Sequence, residues 1–413
     1  MAKPYIISGI DIGNSQIKVV IAKVERDSLR PEIIGSGAAL SNGLRRGVVV
    51  DMEETVDSIK SAVQRAEAMA GVSLKRAYLS VNGLHIRTQT SRGVIAVSRA
   101  DNEISQSDID RVLQAASVVS MPANREIIHV IPRNFIVDGN EYIKNPLGMK
   151  GVRLEAEVSI IDGLSPHLKN IAKCVNENDI EVSGMVFGPL AASFAILDKN
   201  QKEYGVMNLD FGGGTSTLAV FEEAELVHSA VLPIGSRHIT NDLAVALRTS
   251  LDIAERIKLE YCTTSEGEDM RRKENLDLSK IMEEENFVIP KKQLIRVVDA
   301  RASELLDMVT NELKKVSKNS LLPAGVVLSG GGANLPGLAL MVKEKLRLPV
   351  RIARAQASEA AESLLDPSYA VAAGLIMWGF DQEFSSQKGR VNQFTQSNNN
   401  LKKVLDWLKN FMP

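Results

Sequence analysis

The sequence predicts an α/β protein built of two related lobes, because one structural device occurs in it twice. The first copy is residues 10–15 (IDIGNS), and the second, about 200 residues further on, is residues 209–215 (LDFGGGT). Apolar and β-branched runs flank both copies, so each is predicted to form a strand, a glycine turn and a second strand. A third glycine turn, residues 329–334 (SGGGAN), follows an apolar strand and precedes a helix expected over about residues 338–346. Two hairpins and one strand–turn–helix unit therefore indicate a duplicated α/β core.

The turns of both hairpins suit a phosphate group. Glycine has no Cβ, so the backbone N–H groups of Gly13, Gly213 and Gly214 can approach phosphate oxygens closely as a concave set of donors. Asp11 and Asp210 need another explanation, because a carboxylate repels phosphate. We expect them to hold a hydrated Mg²⁺ that bridges phosphate oxygens, or to orient water. A single Asp-x-Gly is more often an ordinary turn, so the prediction depends on the repetition.

The third turn contains three consecutive glycines, Gly330, Gly331 and Gly332. Such a run costs backbone entropy on folding. Close approach of a flat or anionic group to the backbone would explain why three glycines are present despite that cost. A tight connection between strand and helix is the alternative explanation. Together the three turns predict a nucleotide site.

These elements resemble the actin-like ATPase superfamily, which includes actin, the DnaK-type chaperones and the sugar kinases. The resemblance covers nearly the whole chain and implies duplicated RNase H-like cores, with ATP and Mg²⁺ in a cleft between the lobes. Residues 187–193 and 367–375 resemble the two small-residue helices at the hinge of that fold. Glu255 and Lys258 lie in a segment that resembles its adenosine-contacting turn, and their spacing places them on one helix face. A surface ion pair would show the same spacing.

The residues assigned in this way to ATP binding are Gly13, Asn14, Ser15, Lys18, Gly212, Gly213, Gly214, Thr215, Ser216, Glu255, Lys258, Gly330, Gly331, Gly332 and Asn334. Asp11 and Asp210 are the candidates for holding Mg²⁺ through water, and also the only candidates for a catalytic role.

Within the superfamily the sequence is most similar to the FtsA family of bacterial cell-division proteins. The similarity lies in residues 9–18, 147–158 and 298–306 and in the C-terminal segment. It implies an ATP-binding protein that polymerises, binds the C-terminal tail of FtsZ and contacts later division proteins. It also implies a peripheral location on the cytoplasmic side of the inner membrane, at the division site.

The order of predicted elements divides the chain into four subdomains. Lobe 1A is expected over residues 1–83, 163–197 and 360–381, an inserted α+β subdomain 1C over 84–162, lobe 2A over 198–230 and 301–359, and subdomain 2B over 231–300. Ser105 followed by Asp108 predicts the capped start of a helix in the insertion. The family resemblance implies that 1C contacts protomers and division proteins, and that 2B receives the acidic FtsZ tail. The basic residues proposed for that tail are Lys291, Lys292, Arg296 and Arg301.

Composition agrees with a cytosolic protein that has no nucleic-acid partner. The 413 residues are 44% hydrophobic and carry a formal net charge of −2, which gives no attraction toward DNA or RNA. Cys174 and Cys262 are far apart in sequence, as expected in a reducing compartment. The N-terminal residues enter a strand without the regions of a signal peptide, and the most apolar run, residues 369–380, is too short to span a bilayer.

The C-terminus predicts a membrane anchor. Residues 382–400 are polar and are expected to form a flexible linker, and residues 401–413 have the periodicity of a short amphipathic helix. An apolar face with flanking lysines suits the surface of an anionic bilayer, although docking on the protein itself or in a partner groove is the alternative. The residues assigned to the membrane are Leu401, Val404, Leu405, Trp407, Leu408, Phe411 and Met412, with Lys402, Lys403 and Lys409 beside them.

One position departs from the wider superfamily. The chaperones and the actin homologue MreB carry a glutamate before the proline that begins the first connecting helix, whereas Gly188 precedes Pro189 here. We therefore expect at most a slow ATPase. A small-molecule kinase and a pilus-assembly scaffold of the same fold are the alternative functions.

Overall fold

The structure is a computed structural model that describes residues 5–25, 30–118, 122–265, 274–282, 286–316, 322–355, 362–385 and 395–396. Its elements fall into two lobes and an insertion in the first lobe. The first part of the chain forms β1 (Tyr5–Ile12), β2 (Gln16–Val24), β3 (Glu32–Leu40), β4 (Leu44–Arg45), β5 (Val48–Val49), α1 (Met52–Ala70) and β6 (Arg76–Val81). The insertion forms β7 (Arg87–Ala96), α2 (Gln106–Ser117), β8 (Arg125–Val137), β9 (Asn140–Ile143) and β10 (Arg153–Leu164).

The chain then completes the first lobe and forms the second. The connecting elements are α3 (Ser165–Asn176), β11 (Glu181–Phe187) and α4 (Gly188–Ile196). The second lobe contains α5 (Lys199–Tyr204), β12 (Val206–Phe211), β13 (Ser216–Glu222), β14 (Glu225–Leu232), α6 (Ser236–Leu247), α7 (Leu251–Tyr261), β15 (Asn275–Asp277), α8 (Ser279–Met282), β16 (Val288–Pro290), α9 (Lys291–Val316), β17 (Val326–Ser329), α10 (Leu338–Leu346) and β18 (Val350–Ile352). The last elements are α11 (Ala370–Phe380) and β19 (Thr395–Gln396).

The two lobes repeat one sheet topology. In the first lobe the strand order is β3-β2-β1-β6-β11, and in the second it is β14-β13-β12-β17-β18. In each sheet three antiparallel strands are followed by two parallel strands, so β1 and β12 hold equivalent central positions. The duplicated core that the hairpin motif predicts is therefore confirmed at the level of whole sheets.

Helices cover both faces of the first sheet. Helix α1 begins at the N-cap Asp51, which accepts a bond from the backbone of Glu54, and ends at Gly71 in the left-handed conformation. Its buried face, which includes Ile59 and Ala62, packs on the sheet. On the opposite face lie α4 and α11, whose residues are almost all buried. This second core extends across the hinge to strands of lobe 2.

The insertion has its own sheet and its own small core. Its strand order is β19-β8-β10-β7, with β9 paired to the far end of β8. Helix α2 packs on this sheet and begins at the predicted capping box, in which Ser105 and Asp108 bond each other reciprocally. At the junction with lobe 1, the fully buried carboxylate of Asp162 accepts hydrogen bonds from Arg87, Gln89 and Arg125.

The predicted membrane helix, residues 401–413, lies outside the described residues, as does most of the predicted linker. Asp381–Ser385 continues α11 as a π-helical turn that includes the start of the predicted linker, and Thr395–Gln396 of the linker pairs antiparallel with β8. In the described part of the chain, no helix has both the length and the apolar character needed to cross a bilayer.

Candidate functional site

A cleft of about 510 Å³ lies between the lobes, and both glycine hairpins and the third glycine turn line it. This volume is typical of sites for small molecules and cofactors. The predicted ATP-binding residues that line the cleft are Gly13, Asn14, Ser15, Lys18, Gly212, Gly213, Gly214, Thr215, Glu255, Lys258, Gly330, Gly331, Gly332 and Asn334. Ser216 is the exception, because it is fully buried and its hydroxyl donates to the carbonyl of Ile234 at 2.6 Å.

The tips of the two hairpins lie against each other. A Cβ atom on Gly213 would overlap the hydroxyl of Ser15, and one on Gly214 would overlap the side-chain amide of Asn14. Any larger residue at either glycine would push the two tips apart, so this close approach explains Gly213 and Gly214; a Cβ on Gly212 would instead overlap the carbonyl of Thr215 in its own hairpin.

Each tip is held firmly within its own lobe. In the first lobe, the backbone N–H of Gly47 donates to Asn14 Oδ1 at 2.8 Å, and that of Ser41 donates to the Ser15 carbonyl at 3.0 Å. In the second lobe, the N–H of Ser236, at the start of α6, donates to the Gly212 carbonyl at 2.9 Å. The donors of the tips are thus arranged in advance for an anionic ligand.

The duplication extends to a serine partner for each aspartate. Ser80 Oγ, at the end of β6, donates to Asp11 Oδ1 at 2.7 Å. Ser329 Oγ, at the end of β17, donates to Asp210 Oδ2 at 3.2 Å. Because β6 and β17 are the parallel neighbours of β1 and β12, the two pairs are equivalent. Sequence reasoning missed the role of Ser80, which is the next-to-last residue of β6, whereas Ser329 is the last residue of β17.

The environment of Asp11 and Asp210 disfavours the charged forms of both carboxyl groups. Burial raises the pKa of Asp11, although Lys18 and the bond from Ser80 partly oppose the rise. Burial, together with the negative charge of Asp11, raises the pKa of Asp210 to about 6. Two carboxylates that repel each other in a poorly solvated cleft would be stabilised by a cation between or beside them.

That cation would need ligands besides protein side chains. Within the described ranges no group of three or more His, Cys, Asp or Glu residues could hold a metal ion. Asp11 and Asp210 alone fit a hydrated Mg²⁺ whose other ligands are water and phosphate oxygens, which is how Mg²⁺ commonly binds beside a nucleotide.

At the other end of the cleft, Glu255 and Lys258 occur together as predicted. The Lys258 ammonium lies 2.7 Å from Glu255 Oε2 and donates to Thr240 Oγ1 at 3.0 Å. The lysine side chain is only 9% exposed, whereas that of the glutamate is 41% exposed. The pair is therefore a fixed part of the cleft wall, and its glutamate has room to accept bonds from a ligand.

Sterics explain why residue 188 is glycine here, where the chaperones and MreB carry glutamate. Gly188 begins α4, and a Cβ on it would overlap the side-chain amide of Asn82. Asn82 itself lines the cleft, so an amide lies at the place where a side chain from Gly188 would begin. Sequence reasoning missed Asn82, as it missed the lining residues Leu40, Leu259, Asp366 and Ser368.

The basic residues proposed for the FtsZ tail all lie on the first eleven residues of α9. Two of them are already paired with acidic side chains. Arg301 forms a bidentate pair with Asp242, at 2.8 and 3.0 Å, and also bonds Glu304 at 2.6 Å. Lys291 bonds Glu274 at 3.2 Å. Of the other two, Arg296 is exposed and Lys292 is half-buried.

Two family models match the chain. The model described as the SHS2 domain inserted in FtsA covers residues 83–162, and the model of cell division protein FtsA covers residues 207–374. A curated cell division protein FtsA from Bacillus subtilis is 38% identical over 374 residues, which is 89% of this chain and 82% of the relative. That of Pseudomonas aeruginosa is 34% identical over 409 residues, or 98% of this chain and 97% of the relative.

Solved structures show the same fold at lower identity. A PilM–PilN type IV pilus biogenesis complex matches with a TM-score of 0.63 and 16% identity, covering 90% of this chain and 98% of its own. The structure of MreB5 of Spiroplasma citri bound to AMPPNP matches with a TM-score of 0.55 and 14% identity, covering 94% of this chain and 100% of its own. The predicted actin-like fold is thereby confirmed.

Proposed function

The chain belongs to the FtsA family of cell-division proteins, and from that premise we propose that it binds ATP between its lobes and tethers FtsZ filaments to the membrane. The observation that carries the nucleotide part is the meeting of two equivalent hairpin tips beside two aspartates that line the cleft, Asp11 buried and Asp210 half-buried. A polyphosphate chain supplies the negative charge that the backbone donors of the tips attract. The MreB5 structure of the same fold holds AMPPNP, which is in line with this assignment.

Mg²⁺ fits beside that nucleotide. Asp11 and Asp210 would hold the ion through water, and the ion would offset the charge of the phosphates and of the aspartates together. Their partners Ser80 and Ser329 fix the orientation of both carboxylates. Lys18, which is 7% exposed and opposite Asp11 in the register of the first hairpin, adds a positive charge to the same end of the cleft.

We propose that the nucleotide acts as a conformational ligand more than as a substrate. The start of α4 carries no carboxylate, and the amide of Asn82 fills the space beside Gly188. An amide can orient a water molecule but cannot accept its proton, so hydrolysis is expected to be slow. Preferential binding of ATP to one lobe arrangement is sufficient to control polymerisation.

The tethering role follows from the family and from the C-terminal sequence. The sequence of residues 401–413 predicts a helix with an apolar face flanked by lysines, which suits a peripheral position on the inner face of the cytoplasmic membrane. Subdomain 2B is proposed to bind the acidic FtsZ tail, with Lys292 and Arg296 better placed than Lys291 and Arg301, whose charges are already paired. The 1C insertion is proposed to contact other protomers and later division proteins.

Vesicle sedimentation tests the tether. Full-length protein is mixed with anionic vesicles and a labelled FtsZ tail peptide, with and without Mg·ATP. We expect peptide to sediment only when both protein and vesicles are present. Leu405→Glu combined with Trp407→Glu should abolish sedimentation, because two charges on the apolar face oppose insertion. Undiminished sedimentation of this double variant would refute the anchor, and loss with the control Asp406→Asn would show that the assay is not specific.

A further inference from the structure

The first turn of α6 is hydrogen-bonded to the tip of the second hairpin. The backbone N–H of Arg237 donates to the carbonyl of Gly213 at 2.9 Å, beside the equivalent bond from Ser236 to Gly212. Gly235 packs directly on the backbone of this hairpin. The position of the Arg237 backbone is therefore set by the tip of the hairpin in lobe 2.

The side chain of the same residue reaches the other lobe. Its guanidinium Nη1 donates to the carbonyl oxygen of Asn14, at the tip of the first hairpin, at 3.0 Å. Asn14 is in turn fixed within lobe 1 by the bond from Gly47. One residue thus bonds both phosphate-binding tips, one through its backbone and one through its side chain.

We propose that Arg237 is a positioning residue that latches the two hairpin tips together and so slows the release of bound nucleotide. The proposal rests on the proposed function, because the ligand it acts on is the polyphosphate between the tips. Opening of the cleft must separate Asn14 from Gly213, and the Arg237 bond opposes that movement. A planar guanidinium suits this task because it can keep one donor on the carbonyl while others face a nearby anion.

The chemistry of the bond distinguishes a latch from an incidental surface ion pair. Its acceptor is a neutral backbone carbonyl that is itself part of a tip, so the bond can form only when the two tips are close. Arg237 is otherwise exposed, and its replacement is not expected to disturb the core. A hydrogen bond from a charged donor, weakened by this exposure, corresponds to about a tenfold effect on an equilibrium or rate.

The test uses the full-length protein and a fluorescent ATP analogue with Mg²⁺ in stopped-flow measurements. Arg237→Gln is expected to raise the dissociation rate about tenfold and to change the association rate by less than about threefold. Arg237→Lys, which keeps the charge but reaches the carbonyl less well, should fall between wild type and Arg237→Gln. Arg354→Gln, which removes an exposed arginine elsewhere on lobe 2, is the control and should behave as wild type.

A structural readout separates the latch from a general loss of stability. In Arg237→Gln, amide hydrogen exchange should rise in residues 11–16 while the melting temperature stays unchanged. Unchanged dissociation, or an effect equal to that of Arg354→Gln, would overturn the latch. If wild-type protein itself binds no analogue, the proposed nucleotide site fails instead, so the two failures are distinguishable.

Discussion

The raised pKa of Asp210 predicts how the stability of the ligand-free protein depends on pH. Burial raises the pKa of this carboxyl from 3.8 to about 6, with the charge of Asp11 adding to the effect. A rise of about two pH units corresponds to about 3 kcal/mol of differential free energy between the two protonation states. Because one side of Asp210 faces the cleft and retains some solvent, we expect about 2 kcal/mol to be measurable.

The sign follows from proton linkage. The folded protein binds the proton of Asp210 more tightly than the unfolded chain does, since its folded-state pKa is the higher one. The stability that this proton contributes is complete below about pH 4 and is lost as the pH rises through about 6. Asp210→Asn has a neutral side chain of nearly the same shape at every pH. Its stability relative to wild type should therefore increase by about 2 kcal/mol between about pH 4 and pH 7.

The assay is urea unfolding followed by circular dichroism, without Mg²⁺ or nucleotide, at several pH values. Only the difference between variant and wild type matters, because carboxylates other than Asp11, whose charge interacts with that of Asp210, titrate equally in both proteins. Asp252→Asn, which neutralises an exposed aspartate of the same lobe, is the control and should show a nearly flat difference. A flat difference for Asp210→Asn as well would refute the reasoning about the buried pair. Saturating Mg·ATP should reverse the order, since wild type alone keeps both aspartates for the ion.

Three further predictions concern sterics and the insertion. Gly213→Val should weaken ATP binding at least about 100-fold by calorimetry, or about 2.7 kcal/mol, because its side chain would collide with Ser15 and separate the tips. Undiminished affinity would contradict this. Gly188→Glu should lower the melting temperature, since Asn82 occupies the space that the glutamate side chain would need. It should also fail to give fast hydrolysis in a phosphate-release assay. A variant that hydrolyses ATP faster and is as stable as wild type would contradict the steric argument. Asp162→Ala should cost about 3 kcal/mol in thermal unfolding, because it removes the carboxylate partner of Arg125, whose side chain is only 10% exposed. A loss below about 1 kcal/mol would contradict it.

Local pattern was sufficient wherever one segment decides its own structure. The predicted capped start of a helix at Ser105 is confirmed by the structure. The two hairpins and the helix over residues 338–346 are confirmed as well. In these segments, glycine, capping residues and hydrophobic periodicity act over only a few residues.

Sequence reasoning failed where partners come together only through the fold. Ser80 meets Asp11 because β6 runs parallel to β1, a pairing between segments nearly seventy residues apart that no local pattern reports. Strand β7 includes the polar residues 87–91, because pairing with β10 recruits a stretch that has no β pattern of its own. Arg237 could not be found either, since its bond to Asn14 joins the two lobes.

A crystal structure of the full-length protein grown with Mg²⁺ and a non-hydrolysable ATP analogue tests the central claim most directly. We predict the phosphates between the tips at Gly13 and Gly213, a Mg²⁺ whose water ligands face Asp11 and Asp210, and the ribose beside Glu255. A vacant cleft at saturating analogue, or a nucleotide bound elsewhere on the protein, would contradict it.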